Sequence, residues 1–325
     1  MKSKKNTTTT MNNNFHRNSS VKWLKPWSVI VLAWLWPYSN GYSQELFLEG
    51  LISTPFKERD MTISKEENHL LFSIHSYNED VRMIVEMRKE NGSWSVPSVV
   101  SFSGSYKDIE PMFAPDNKRL FFASDRPMFE GDASNDYNIW VVERKANGWG
   151  IPSPLDSLIN TEGDEFYPSV TKNGTIYFTA TRKEGIGKED IYYSKFESNA
   201  YSKPVCLDTA INSATYEFNS FIDPDEKFIL FSSYQRADGL GGGDLYISYQ
   251  KNGKWQPAKH LKEGVNSTNL DYCPFVSADG KTLYFTSNRK AKKSIKSVED
   301  LRLELESPNN GFDNIYKIPF EGIFE

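Results

Sequence analysis

Short apolar segments that end in Phe recur along the chain, and polar loops separate them. The five segments are Leu70-Leu71-Phe72, Leu120-Phe121-Phe122, Ile176-Tyr177-Phe178, Ile229-Leu230-Phe231 and Leu283-Tyr284-Phe285. Each follows a turn rich in Pro, Asp, Asn or Gly, which is typical of a β-hairpin. The spacing of the terminal Phe residues stays between 50 and 56 residues. A period of this length indicates a repeated supersecondary unit.

Each repeat predicts four short strands. Beyond the Phe segment, a polar loop leads to a third strand with a recurring signature: Asn138-Ile139-Trp140, Asp190-Ile191-Tyr192, Asp244-Leu245-Tyr246 and Asn314-Ile315-Tyr316. An Asn-Gly turn and a Trp then mark a fourth strand, as at Asn252-Gly253 and Trp255. Four short strands per unit, joined by tight turns, are typical of one blade of a β-propeller.

A second alignment shows how the ring closes. Residues 48–61, 155–168, 207–220 and 261–274 align without a gap; each begins with Leu and reaches a carboxylate ten residues later. The last repeat ends after its third strand, and the segment 46–53 has no repeat before it. We therefore predict an all-β fold: a five-bladed β-propeller of four-stranded blades, with the last blade closed by the N-terminal strand. The blades span about 56–106, 107–163, 164–216, 217–270, and 271–325 with 46–53.

The first 43 residues differ from the rest. They carry six Lys or Arg and no acidic residue, with a short apolar run at 27–36. This pattern predicts a signal peptide cleaved near Ser43; the alternative is an uncleaved membrane anchor, for which the run is short. Residues 44–325 then form a single domain that is exported, periplasmic or extracellular, with no membrane span.

Cleavage leaves 32 basic and 43 acidic residues, a net charge of −11. This charge argues against nucleic acid or an anionic membrane as a partner. An envelope protein or a carbohydrate is the expected partner, and we expect a monomer. The repeat places Cys206 on an outer strand and Cys273 on an inner one, too far apart to bond, which predicts two free and buried thiols.

The repeats resemble the WD40-like β-propeller repeats of TolB-like proteins. Residues 108–126 and 271–289 carry that pattern most fully, and the glycine-rich segment 236–244 resembles versions found in envelope proteins of Bacteroidetes-type bacteria. The resemblance implies a propeller fold and an envelope location. It does not imply one function, because such propellers serve many roles. The first repeat departs from the pattern, since it lacks the Arg, the Pro and the Asp-Ile-Tyr signature.

Two charged columns repeat from blade to blade. The acidic column opens the first strands and consists of Glu58, Asp108, Glu165, Glu217 and Asp271. The basic column follows the second strands and consists of Arg126, Arg182, Arg236 and Arg289, with no member in the first blade. One interpretation is architectural, with Arg paired to acid. The other is a ring of ligand-binding carboxylates at the channel mouth, suited to a cation such as calcium, a basic peptide or a sugar.

A third column, two residues further along, should face the channel. It consists of Asp60, Glu110, Tyr167, Asn219 and Cys273. Its mixed composition suits contact with a ligand, and equally a water-filled channel. Two long loops, 127–137 and 290–312, should overhang the same face. In the second of these, Ser297 is a candidate N-cap for a short helix with an apolar stripe at Ile295, Val298, Leu301 and Leu305.

Signals for catalysis are weak. The four His residues occupy different repeat positions, so we predict no metal site and no cofactor beyond a stabilising calcium ion. The sequence contains no G-x-S-x-G motif. We therefore predict a non-catalytic binding or scaffold propeller that recognises a protein or a carbohydrate at the channel mouth. The alternative is a carbohydrate-active hydrolase or lyase, with Asp60 and Glu110 as acid and base and the Arg column holding an acidic sugar.

Overall fold

The computed structural model describes residues 43–262, 264–290 and 294–320, and the predicted leader lies almost wholly outside them. The described residues form five antiparallel sheets of four or five strands, one for each repeat, and one further two-stranded sheet. The predicted five-bladed β-propeller is therefore confirmed.

Within each blade, the first strand pairs with the second, the second with the third, and the third with the outer strand. The first strands are Lys57–Ile63, Asp108–Phe113, Glu165–Val170, Tyr216–Ile222 and Asp271–Val276. The second strands are His69–His75, Arg119–Ser124, Ile176–Ala180, Phe228–Tyr234 and Thr282–Ser287. The third strands are Arg82–Glu90, Asn138–Lys145, Asp190–Ser194, Asp244–Lys251 and Asn314–Pro319.

The outer strands contain only two residues each. In blades one to four they are Ser98–Val99, Ser153–Pro154, Val205–Cys206 and Lys259–His260. In three blades, a further short strand pairs antiparallel with the C-terminal end of the third strand. These strands are Ser93–Trp94, Gly148–Trp149 and Lys254–Trp255. In blade three, Phe196–Glu197 instead pairs with Ala200–Tyr201.

The N-terminal strand closes the fifth blade, as predicted. Glu45–Leu46 runs antiparallel to Asn314–Pro319 and aligns Leu46 with Tyr316. The next amide, that of Phe47, donates to the carbonyl oxygen of Ile315 at 2.8 Å. This strand is shorter than the predicted 46–53, since most of the remaining segment forms turns. It has the same two-residue length as the other outer strands.

The Phe residues that define the repeat form the blade cores. Phe72, Phe122, Phe178, Phe231 and Phe285 are all fully buried. In blades three to five, a Tyr of the third strand stacks on this Phe, and the ring centroids lie 5.8–6.0 Å apart. Stacked, buried aromatic pairs of this kind contribute beyond their buried area, which explains why both positions recur.

A recurring Asn links the strands near the outer edge. The amide oxygen of Asn212 accepts from the backbone N–H of Ile191 at 2.9 Å, and its Nδ2 donates to the Ile191 carbonyl at 3.0 Å. Asn160 and Asn266 make the same two bonds to Ile139 and Leu245. These bonds satisfy buried backbone groups where the outer strand has ended. They explain the Asn in the gapless alignment.

The insertion in blade five contains the predicted helix. It spans Val298–Leu305, and the Ser297 hydroxyl caps it by accepting from the Asp300 amide at 3.0 Å. The predicted apolar stripe does not pack against the propeller, because all four of its residues are exposed. Glu304 is the buried residue of the helix, with Lys290 Nζ 3.9 Å from its carboxylate. No helix among the described residues has the length and apolar character needed to cross a membrane.

Candidate functional site

The acidic and basic columns meet within each blade. Four ion pairs join a first-strand carboxylate to the Arg that follows the second strand of the same blade: Asp108–Arg126, Glu165–Arg182, Glu217–Arg236 and Asp271–Arg289. All four carboxylates are fully buried. The structure therefore places them inside the blades and brings each one to its Arg.

Each Arg also reaches the preceding blade. In blade four, the Arg236 guanidinium lies 5.2 Å from the Phe231 ring centroid and 4.7 Å from that of Tyr246, and it donates to the carbonyl of Ile211. The hydroxyl of Ser213 donates to Glu217 at 2.7 Å. We call this arrangement the blade clasp. It combines a buried ion pair, two aromatic faces and a backbone contact across the blade junction.

Blade one lacks the clasp. Glu58 is fully buried, and its carboxylate accepts from the amide of Thr54 at 3.2 Å and from the Thr54 hydroxyl. No Arg follows the second strand of this blade. Burial raises the pKa of Glu58 to about 7, although the bonds from Thr54 favour its charged form.

The channel column lies at a bulge that every first strand repeats. The pairing of the first and second strands shifts register at the same place in all five blades. The residues of the column have left-handed backbone angles, with φ between 48° and 59°: Asp60, Glu110, Tyr167, Asn219 and Cys273. A bulge re-aims the side chain at the extra residue. The five side chains are all buried.

Arg59 is the centre of a polar cluster formed by this column. Its Nε lies 2.8 Å from the Asp60 carboxylate, and one Nη lies 3.4 Å from Glu110. Glu110 also accepts from Asn219 Nδ2 at 3.3 Å and from the Tyr167 amide at 2.6 Å. Burial, and then the nearby charge of Asp60, raise the pKa of Glu110 to about 8. Arg59 is the cation shared by these two carboxyl groups.

A cleft of about 660 Å³ opens above this cluster at the end of the channel where the first strands begin. Of the predicted site residues, Glu110 and Asn219 line it. Asp60, Tyr167 and Cys273 contribute to the buried floor instead. Sequence reasoning missed the basic residues of the lining, because blade one lacks the repeat signature that would have aligned them.

The cleft has two chemically different sides, and four acidic residues also line it: Glu79, Glu110, Glu189 and Asp313. Its basic residues all come from blade one: Lys57, Arg59 and Arg82. Aromatic rings from blades three to five line other parts of the wall: Phe166, Phe218, Tyr234, Tyr272 and Phe312. The two sides meet where the Arg59 guanidinium lies 4.7 Å from the centroid of the Tyr272 ring.

The long loops contribute unequally. The loop at 290–312 reaches the cleft with Gly311 and Phe312. The loop at 127–137 instead borders a separate cleft of about 450 Å³, through residues such as Pro127 and Asp132. The helix Val298–Leu305, in the 290–312 loop, is not part of the cleft lining.

Metal-ligating groups do not cluster in the described part of the chain, where no three or more His, Cys, Asp or Glu side chains are placed to hold an ion. Cys206 and Cys273 are both free thiols, as predicted, but only Cys273 is buried, because Cys206 lies half-buried on an outer strand. Burial is the main reason that the pKa of Cys273 lies well above its ordinary value.

The comparisons with known proteins support the fold. No family model and no curated protein matches the sequence. The structure is similar to alpha-L-arabinofuranosidase from Lactobacillus brevis, with a TM-score of 0.50, 12% identity, and coverage of 83% of this chain and 92% of that one. It is also similar to a GH43 endo-arabinanase from Bacillus licheniformis, with a TM-score of 0.50, 13% identity, and coverage of 80% and 93%.

TolB from Acinetobacter baumannii is among the similar structures, as the resemblance of the repeats predicted. Its TM-score is 0.47 at 14% identity, over 81% of this chain and 54% of TolB. The chain thus spans about half the length of TolB. At these identities, the likenesses show the propeller fold alone.

Proposed function

We propose that this chain is an exported, non-catalytic propeller that binds a carbohydrate in the cleft at its channel mouth. The cleft itself carries the proposal. Its volume of about 660 Å³ falls within the range of small-molecule sites. Aromatic rings such as Phe218 and Tyr234 offer apolar faces for sugar rings, and Asn219 and the charged side chains offer hydrogen bonds to hydroxyl groups.

Binding of neutral and acidic oligosaccharides to the purified protein tests this proposal, with isothermal titration calorimetry as the measurement. We expect binding that Phe218→Ala weakens at least about tenfold. Phe129→Ala is the matched control, because Phe129 is an exposed aromatic residue outside the cleft lining. A protein partner would be favoured instead if the protein bound no carbohydrate but captured an envelope protein, and if Phe218→Ala abolished that capture.

A hydrolase is the second candidate, and Glu110 is the observation that favours it. A carboxyl group with a raised pKa in a cleft is the usual general acid of a glycosidase, and burial is the main cause that raises the pKa of Glu110. The two similar arabinan-degrading enzymes make arabinan fragments the first substrates to test. Product release that Glu110→Gln abolishes would favour this candidate. We place binding first because Asp60, the predicted partner carboxylate, is buried against Arg59 and Cys273 rather than lining the cleft.

Export rests on the basic, acid-free leader and its apolar run. The protein should be expressed in a bacterial host and isolated from the medium and from the periplasmic fraction. Mass spectrometry of this protein should find an N-terminus near Gln44. A mature chain that retains the apolar run would contradict cleavage and support a membrane anchor.

A further inference from the structure

Blade one presents a row of three basic side chains at the mouth. Lys57 pairs with His75 across the first and second strands, and His75 pairs with Arg82 across the second and third. Residues directly opposite each other on neighbouring strands share one face of the sheet. The row therefore places one cation on each side of His75, at the end of the blade.

His75 in the middle of the row is neutral. Only 1% of it is exposed, and neither ring nitrogen has a hydrogen-bond partner in the described structure. Burial, followed by the charges of Arg59, Arg82 and Lys57, lowers the pKa of His75 to about 2. The positive charge of the row is thus carried by Lys57 and Arg82, which both line the cleft.

A carboxylate of the protein itself bridges these two cations. Glu79 accepts from Lys57 Nζ at 2.6 Å with one oxygen and from Arg82 Nη2 at 2.8 Å with the other. Tyr137 helps to hold Arg82, since its hydroxyl accepts from Nη1 at 3.0 Å. Glu79 lies on the short loop 76–81, with a left-handed φ of 59°, next to the highly exposed Tyr77.

We propose that Glu79 occupies the position of a ligand carboxylate, and that the cleft selects oligosaccharides containing uronic acids. This inference rests on the proposed carbohydrate-binding function. Each oxygen of Glu79 accepts one charge-assisted hydrogen bond, from Lys57 and from Arg82 respectively, so the two cations together hold one carboxylate. A uronate carboxylate takes over both bonds while Glu79 moves into solvent, so neither cation is left unpaired.

The rest of the cleft fits this ligand class. Its third cation, Arg59, is already held by Asp60 and Glu110. The aromatic side of the cleft gives sugar rings a surface to stack on, beside a basic side that holds the carboxylate. A cleft volume of about 660 Å³ suits a short oligosaccharide rather than a broad protein interface.

The test compares trigalacturonate with a neutral trisaccharide, by calorimetry at low ionic strength. Lys57→Met and Arg82→Met should each weaken trigalacturonate binding at least about tenfold, because each removes one charge-assisted hydrogen bond. Glu79→Gln should strengthen it several-fold by removing the competing carboxylate. Glu79→Gln should raise the ratio of the affinity for trigalacturonate to that for the neutral sugar. Melting temperatures check that each variant is folded.

Asp225→Asn is the matched control. Asp225 is also held between two cations, with Lys172 Nζ at 2.7 Å and Lys227 Nζ at 3.6 Å, but it lies at the opposite end of the channel. This substitution should leave binding unchanged. Equal affinity for the neutral and the acidic sugar, or weaker binding by Glu79→Gln, would overturn this inference alone. Failure of every sugar to bind would overturn the proposed carbohydrate function as well.

Discussion

The thiol of Cys273 in blade five donates a hydrogen bond to Asp60 in blade one, with Sγ 2.7 Å from Oδ1. The two residues are 213 positions apart in the sequence, and ring closure brings them together. Asp60 is buried, so its remaining contact to Arg59 must balance its charge when the thiol is removed.

Cys273→Ala should therefore lower the free energy of unfolding by about 1–3 kcal/mol, because a buried acceptor loses a donor. Cys273→Ser keeps a donor and should cost less. Urea denaturation measures both, with Cys206→Ala, at a half-buried outer-strand thiol, as the control. Equal losses for the Ser and Ala variants would show that packing, rather than the hydrogen bond, stabilises this position.

Removal of one blade clasp should be costly. Arg236→Ala leaves the carboxylate of Glu217 buried without its cation, and we expect a loss of about 3–5 kcal/mol in the free energy of unfolding. Arg302→Ala breaks an exposed pair with Glu299 on the helix and should cost far less, because solvent screens an exposed pair. Similar losses in the two variants, measured by chemical denaturation, would contradict the role assigned to the clasp.

The missing clasp in blade one predicts a particular dependence of stability on pH. The pKa of Glu58 rises from 4.5 to about 7 on folding, so the native state binds more protons than the unfolded state between these values. The contribution of Glu58 to the free energy of unfolding is therefore fully present below pH 4.5 and is lost as the pH rises through 7. The total loss is about 3 kcal/mol.

The difference between wild type and Glu58→Gln isolates this contribution, because other buried groups, such as His75, titrate in both proteins. The variant should gain stability relative to wild type as the pH rises from 4.5 to 8, in thermal or urea unfolding. A difference that stays constant across this range would show that Glu58 titrates normally.

In blade four, the loop after the second strand requires glycine at position 241, because the loop there packs against the backbone that leads into blade five. A Cβ at Gly241 would lie 2.5 Å from the carbonyl carbon of Thr268 and 2.6 Å from the Ser267 oxygen. Gly241→Ala should therefore cost about 1–3 kcal/mol through overpacking. At Gly163, a Cβ would lie 3.7 Å from its nearest neighbour, which is ordinary contact. Gly163→Ala should be tolerated, and equal effects in urea denaturation would contradict this explanation.

The repeat made the fold predictable from the sequence. The Phe segments, the third-strand signatures and the unpaired N-terminal segment led to the number of blades and to the way the ring closes. The same alignment placed Asp60, Glu110, Tyr167, Asn219 and Cys273 in one column, and the structure brings them together around the channel.

The residues that line the cleft were harder to predict from the sequence, for two physical reasons. The row formed by Lys57, His75 and Arg82 lies in the blade that departs most from the repeat, so alignment with other blades gave no signal for it. Whether a channel residue reaches solvent depends on the side chains around it, and Asp60 is buried against Arg59 and Cys273. That is why Glu110 lines the cleft and Asp60 does not.

The left-handed bulge restricts how this channel can change during evolution. All five of its residues adopt a positive φ without being glycine, and none of them is branched at Cβ. Val, Ile and Thr fit poorly in this backbone conformation, whereas unbranched polar and aromatic side chains are tolerated better. Substitutions within that permitted set would leave the blade cores intact. A lineage of such propellers could therefore acquire new ligands one side chain at a time, on a ring that stays the same.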